Sequence, residues 1–194
     1  MSMNASNIKL WQIRIIRKLR GIQMNTEELH SIISVIEKIK PCNLLVFGVG
    51  NDSSLWIRKN SEGRTAFIED SLPWFNKIKS RNKGMEAYVV DYGTIRTQWK
   101  ELLNKPKKLW PDMPKYITKT KWDVVIVDAP AGWQDDKPGR MKSIYVASRL
   151  IKKHGHVFVH DCGRVIEKTY SNKFLKKRNL YEEICGLRHY IIKW

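Results

Sequence analysis

Three apolar runs in this chain stop abruptly in small or ionisable residues, and that ending constrains the fold more than any other feature. They are V-F-G-V-G-N-D-S (Val46 to Ser53), V-I-V-D-A-P (Val125 to Pro130) and H-V-F-V-H-D (His156 to Asp161). Unbroken Val, Ile and Phe read as strands buried on both faces, as in a parallel sheet covered by helices. Open sheets of that kind bind ligands in the crevice beyond the carboxyl ends of their strands. Here that edge would carry Gly, Asp and a His-Asp pair. Such an edge suits an enzyme.

The rest of the chain supplies the covering helices. Strands are expected at 43–48, 64–69, 86–90, 122–127 and 156–160, and helices near 53–60, 72–82, 94–104, 139–153 and 164–178. Repeated strand–helix units imply one mostly parallel sheet with helices on both faces. The closing stretch from Tyr181 to Trp194 reads as two strands turning at Gly186, which makes seven strands with a C-terminal β-hairpin. Lys105 to Thr120, with Pro106, Pro111 and Pro114, is expected to be a long loop.

Residues 1–24 read as a basic N-terminal segment ahead of a single domain over 25–194. Leu10, Ile13, Ile16 and Leu19 recur at three-residue spacing, which predicts a helix. That helix lies on a membrane surface, packs on the domain or frays. Asn25 or Thr26 caps the next helix, with Glu27 and Glu28 in its first turn and Pro41 ending it.

Lys and Arg total 36 against 19 Asp and Glu, a net charge of +17. A field of that sign concentrates polyanions such as nucleic acid, acidic lipid or acidic polysaccharide, although a solvated Lys-rich surface accounts for it as well. Cys42, Cys162 and Cys185 show no C-x-x-C spacing, which argues against a disulfide framework or structural zinc and leads us to expect a cytoplasmic protein. No apolar stretch approaches the roughly 20 residues that span a bilayer.

Gly48-Val49-Gly50 follows a strand and precedes a helix, which lets backbone approach a ligand closely. The dinucleotide fingerprint G-x-G-x-x-G is incomplete, because Ser53 holds the third Gly position. Glu69 ends the second strand, 19 residues beyond Gly50, where an acid accepts the ribose hydroxyl hydrogens of a nucleoside cofactor. Both NAD and S-adenosylmethionine satisfy this pattern. The missing Gly favours S-adenosylmethionine, which has no pyrophosphate to accommodate. Asp91 either reaches the adenine amino group or is a surface carboxylate in the turn Asp91-Tyr92-Gly93.

At P-C-N-L-L-V-F-G-V-G-N-D-S, V-D-A-P-A-G-W, P-G-R-M and V-F-V-H-D-C-G-R-V-I-E-K-T-Y the chain resembles the plant glucuronoxylan 4-O-methyltransferase family and its xylan-biosynthesis relatives. The similarity runs in order from about Met24 to Ile192. It implies a Rossmann-like class I methyltransferase fold, S-adenosylmethionine as donor and a glucuronic acid hydroxyl as acceptor. It also implies that Gly48, Gly50, Asp52, Ser53 and Glu69 serve the cofactor. Asp128, Pro130 and Gly132 match the fourth strand end, and Pro138, Gly139, Arg140 and Met141 an acceptor-side loop. His160, Asp161, Arg164 and Glu167 match the fifth strand end and the helix after it. Asn51, Ala131 and Val165 depart from the pattern, and so leave the acceptor in doubt.

A sugar hydroxyl is a poor nucleophile at neutral pH and needs its proton taken. Asp128, His160 and Asp161, at adjacent strand ends, are the candidate catalytic residues. His160, with an ordinary pKa of about 6.5, is one candidate base. Alternatively Asp128 and Asp161 hold a divalent metal ion. Either carboxylate also serves merely to orient His160 or cap a helix. Arg140 is expected in a helix's first turn, where the macrodipole disfavours a cation, so we assign it to an acceptor carboxylate, and we place Arg164 on the substrate side as well. Gly132 and Trp133 are placed at the acceptor cleft.

The sequence therefore favours an O-methyltransferase acting on an acidic, uronic-acid-containing glycan. An RNA methyltransferase is the second reading, motivated by charge, although no N-P-P-Y-like motif or aromatic-rich RNA-binding appendage is present. A non-catalytic binding protein of the same fold is the third.

Overall fold

A computed structural model of the chain describes residues 8–193. The first seven residues of the basic lead and Trp194 lie outside the described residues. The chain opens with α1 (Leu10–Arg20) and α2 (Thr26–Ile39), then β1 (Asn43–Phe47), α3 (Ser53–Lys59), β2 (Arg64–Glu69), α4 (Leu72–Arg81) and β3 (Glu86–Val89). It continues through α5 (Trp99–Leu103), α6 (Lys115–Thr118), β4 (Trp122–Val127), α7 (Met141–Leu150), β5 (Ile151–Val159) and α8 (Val165–Ser171). The hairpin β6 (Leu180–Ile184) and β7 (Leu187–Ile191) closes it. The seven strands form one sheet ordered β3-β2-β1-β4-β5-β7-β6, with β1 to β5 parallel and β7 antiparallel to both its neighbours.

Successive strand side chains point to opposite faces, so the apolar runs divide into two cores. Leu45, Phe47, Ala66, Ile68, Val125, Val127, Val157 and Val159 join Ile144 and Ala147 of α7 and Ile166 and Tyr170 of α8 on one face. Leu44, Val46, Phe67, Val124, Ile126 and Phe158 meet Ile13 of α1, Leu29, Ile32 and Ile36 of α2 and Trp56 of α3 on the other. This double burial is why the runs carry no polar alternation.

Strand order reverses between β1 and β4, which opens a crevice at their carboxyl ends. Phe47 pairs with Val127, and Val127 with Val159. The next residue of each strand therefore falls in one row: Gly48, Asp128 and His160. Asp128 N–H donates to Phe47 O at 3.0 Å, and His160 N–H to Val127 O at 3.0 Å.

Several boundaries differ from the sequence expectation. The helix expected at 94–104 shrinks to α5 behind one tight turn, because Thr94 Oγ1 donates to Pro138 O and Arg96 N–H to Lys137 O. β5 begins at Ile151 rather than 156, its pairing with β4 shifting register between Trp122 and Val124. The helix expected at 164–178 ends as α8 at Ser171 and loosens into wider turns, stopped at Lys176 by a left-handed φ of 65°. The Pro-rich stretch expected to be a long loop is half helical, with a tight turn of helix over Pro106–Leu109 and α6 after it, and Leu109 and Ile117 are fully buried. The basic lead is helical over α1 and packs through Ile13, with Ile22 and Met24 in the same core.

Candidate active site

A cleft of about 630 Å³ opens over the carboxyl ends of β1, β2, β4 and β5. At its cofactor end Gly48 has φ 114°, and a Cβ there would lie 3.1 Å from Ala129 Cβ. Gly is favoured at that corner. Gly50 N–H donates to Ser53 Oγ at 2.8 Å, so the fully buried Ser53 braces the turn from behind. Asp52 faces the cleft and accepts from Trp56 Nε1 at 3.0 Å. Burial, with the nearby Asp128 charge adding to it, pushes its carboxyl up to about 6.

Glu69 ends β2 and lines the cleft, but both its oxygens already work for the chain. Oε2 accepts from Val49 N–H and Oε1 from Ser71 N–H, each at 2.9 Å. Glu69 thereby ties the Gly turn to the start of α4, and burial raises its carboxyl well above the usual range. Each carboxylate oxygen retains a lone pair for a ribose hydroxyl. Asp70, Ser71 and Trp74 line the same wall, and Trp74 Nε1 donates to Val49 O. Asp91 does not line this cleft: its Oδ1 accepts from Gly93 N–H at 2.8 Å in a surface turn, which favours the second of the two readings its sequence left open.

The opposite end holds the ionisable cluster. His160 Nδ1 lies 2.8 Å from Asp128 Oδ1 and 3.6 Å from Asp161 Oδ2. On its other side Nε2 is 3.4 Å from Glu28 Oε2, on the first turn of α2. Burial alone would lower the imidazole pKa, but the hydrogen bonds to Asp128 and Glu28 and the Asp128 and Asp161 charges outweigh it. They hold the ring at about 10. That surrounding favours the protonated ring and weighs against a neutral imidazole base of ordinary pKa. Burial would likewise raise Asp128, yet Arg140 and His160 reverse that and keep its carboxyl below the usual range.

Arg140 caps the start of α7 and is only 5% exposed. Its Nη2 sits 3.1 Å from Asp128 Oδ1 and 2.8 Å from Asp161 Oδ2. Nη1 donates to His160 O at 2.8 Å and Nε to Pro130 O at 3.3 Å. Both edges of the guanidinium are thus engaged within the protein. The expected bidentate grip on a uronate by Arg140 gives way to a role in fixing Asp128 and Asp161.

Arg164 is better placed for a ligand. It lines the cleft and is about a third exposed, with Nη2 3.0 Å from Asp161 Oδ2 and the buried Nη1 3.9 Å from Glu167 Oε1. Trp133, 64% exposed, stands at the mouth beside Lys137. Gly132 sits beneath, because a Cβ there would fall 2.6 Å from Glu167 Oε1. Glu167 is buried, with neither carboxylate oxygen hydrogen-bonded.

Sequence reasoning missed Glu28, whose Oε2 also accepts from Asn25 N–H at 3.0 Å in a capping box. The capping pattern was visible; the second duty toward His160 depends on where α2 packs. Also missed were Gly21 to Met24, which line the cleft and are tied to the Gly turn by Asn51 Nδ2 donating to Gly21 O at 3.2 Å.

This sheet order, with a Gly turn after β1, an acid after β2 and a charged cluster after β4 and β5, is that of the class I, Rossmann-like methyltransferase fold. Solved structures share the fold. A putative caffeoyl-CoA O-methyltransferase from Staphylococcus aureus superposes with TM-score 0.59 over 97% of this chain and 93% of its own, at 14% identity. A TehB-like S-adenosylmethionine-dependent methyltransferase from Corynebacterium glutamicum gives 0.55 over 93% and 95%, at 12% identity.

The chain belongs to the IRX15/IRX15L/GXM family, whose model matches residues 27–111 and 107–190. It is 36% identical over 191 residues to glucuronoxylan 4-O-methyltransferase 1 of Arabidopsis thaliana, covering 88% of this chain and 68% of that one. It is 34% identical over 194 residues to arabinogalactan O-methyltransferase 1 of the same plant, covering 88% and 67%. The chain thus spans about two thirds of the length of these relatives. Among the described residues, no helix is long and apolar enough to cross a membrane.

Proposed function

We propose that the protein moves the methyl group of S-adenosylmethionine onto a hydroxyl of an acidic, uronate-bearing glycan. The observation that carries this is one cleft with a Gly turn and Glu69 at one end and Asp128, His160 and Asp161 at the other. The residues fit the cofactor: Gly48, with φ 114° and Ala129 close by, disfavours any side chain at the turn, and a cleft of about 630 Å³ lies within the usual range for small-molecule sites. When bound, S-adenosylmethionine supplies a methyl group on a sulfonium. Glu69 accepts ribose hydroxyls, and the Gly turn lets backbone approach.

On the acceptor side, Asp128 and Asp161 accept the hydroxyl's hydrogen and orient its oxygen, and orientation supplies much of the rate in an in-line displacement. The His160 cation and Arg140 keep Asp128 ionised, and Arg140 holds both carboxylates in place. Trp133 stacks on a sugar face, while Arg164 and Lys137 meet the uronate carboxylate.

A second reading adds a divalent metal ion. Ligand atoms of Asp128, His160 and Asp161 all lie within 4.8 Å of one another, a spacing that three ligands of one ion can adopt. Asp128 and Asp161 would hold the ion, with His160 joining them only once it has given up its proton, and the ion would lower the pKa of an acceptor hydroxyl.

The test is mass spectrometry of methyl transfer to uronic acid oligosaccharides, their methyl esters, neutral glycans and RNAs. Preference for the free uronates supports the proposal, and a strong preference for RNA replaces it with the nucleic-acid reading. Loss of activity in EDTA, restored by Mg²⁺, Mn²⁺ or Co²⁺, supports the metal. Unchanged activity in EDTA leaves the carboxylates to act without one.

A further inference from the structure

The helix α1 has two apolar faces, and only one of them is used by the fold. Ile13 is fully buried on the inner face, with Ile16 packed against the same core. On the outer face Trp11, Ile15 and Leu19 are 58%, 49% and 81% exposed. They recur at four-residue spacing, so they form a single stripe along the helix. Lys9, Arg14 and Lys18 are also exposed. From Ile8 to Arg20 the sequence holds Lys9, Arg14, Arg17, Lys18 and Arg20 and no carboxylate. We propose that α1 is a peripheral docking helix that seats the protein on an anionic lipid surface.

The chemistry selects that occupant over the alternatives. An anionic bilayer offers headgroup phosphates and carboxylates to the basic residues and an acyl boundary to the stripe. A nucleic acid would satisfy the cations but leave Trp11, Ile15 and Leu19 without apolar contact. A second copy of the chain would set like charges against one another. The face is also small for a stable dimer: 11 residues make a helix about 16 Å long and about 10 Å wide, a footprint of under about 200 Å² against the roughly 800 Å² per partner such interfaces bury.

Docking there would have a consequence for access. Gly21 to Met24 run directly from α1 into the cleft wall, and Arg17 Nε donates to Met24 O at 2.7 Å. Arg20 Nη1 donates to Ser54 Oγ of α3, beside the cofactor turn. The cleft would therefore lie next to the lipid surface, an arrangement independent of which acceptor it takes.

Co-sedimentation of the full chain with vesicles tests this. Vesicles of phosphatidylcholine with about a third phosphatidylserine should carry the protein down, pure phosphatidylcholine should not, and binding should weaken as salt rises. A Trp11→Ser/Leu19→Ser variant should lose vesicle affinity by about tenfold or more. An Arg14→Glu/Lys18→Glu variant should lose the preference for phosphatidylserine. Both should keep the wild-type thermal unfolding and S-adenosylhomocysteine affinity, since neither pair packs in the core. Absence of wild-type binding, or wild-type binding by both variants, overturns the proposal. So does a wild-type dimer that Trp11→Ser/Leu19→Ser dissociates, or RNA binding without vesicle binding.

Discussion

Glu28, on the first turn of α2, places Oε2 3.4 Å from Nε2 of His160 at the end of β5. With Asp128 2.8 Å from Nδ1, the imidazole is held between two carboxylates. An unfolded histidine titrates near 6.5, and this one is raised to about 10. The stabilisation from that charge is complete below pH 6.5 and is lost as pH rises through 10. Urea unfolding of the wild type should therefore show a decline between pH 7 and 10 that His160→Asn reduces. Glu28→Gln, which keeps a capping side chain, should reduce it partly. A wild-type decline no steeper than that of His160→Asn would show that the ring is not held as a cation.

Asp128→Asn and Asp161→Asn are each expected to reduce turnover by about 10²–10⁴, the usual worth of a positioned acid–base group. The affinity for S-adenosylhomocysteine should change less than about threefold, because these groups lie across the cleft from Glu69. Calorimetry and single-turnover rates separate the two effects. Full turnover in both variants would place the chemistry elsewhere.

Arg140→Ala leaves two carboxylates without their shared cation. Breaking a fully buried pair costs about 3–5 kcal/mol. Asp128 and Asp161 keep 32% and 25% side-chain exposure, so about 2–3 kcal/mol is expected. Arg140→Lys should recover little, because an ammonium cannot span both carboxylates and two backbone carbonyls at once. Denaturant midpoints measure both, and wild-type stability in Arg140→Ala would remove its positioning role.

Glu69→Ala should weaken S-adenosylhomocysteine binding by about 1–3 kcal/mol, the cost of leaving polar groups unsatisfied. Asp91→Ala should leave it unchanged, since that carboxylate closes a surface turn. The pair of titrations distinguishes the β2 acid from the acid after β3. Equal losses would return Asp91 to the cofactor site.

Arg164→Ala should raise the Michaelis constant for a uronate acceptor more than for its methyl ester, if the guanidinium meets the carboxylate. Equal changes for both acceptors would exclude that contact.

Much of this protein was legible as sequence because its signals are local and periodic. Unbroken apolar runs such as Val124 to Val127 could only be strands buried on both faces. A Gly at position 48 and acids at 69 and 128 marked strand ends, because polar or flexible residues are tolerated only where a strand leaves the core. What the sequence could not determine was which charges meet. Arg140 read as a free cation at a helix start, and only tertiary packing engages it with Asp128, Asp161 and the carbonyls of Pro130 and His160. His160 read as a histidine of ordinary pKa, yet Glu28 and Asp128 come to it from distant parts of the chain and hold it protonated. Local propensity depends on a few neighbours along the chain, whereas the electrostatics of a site depend on separations of a few ångströms that only the packed sheet and helices fix.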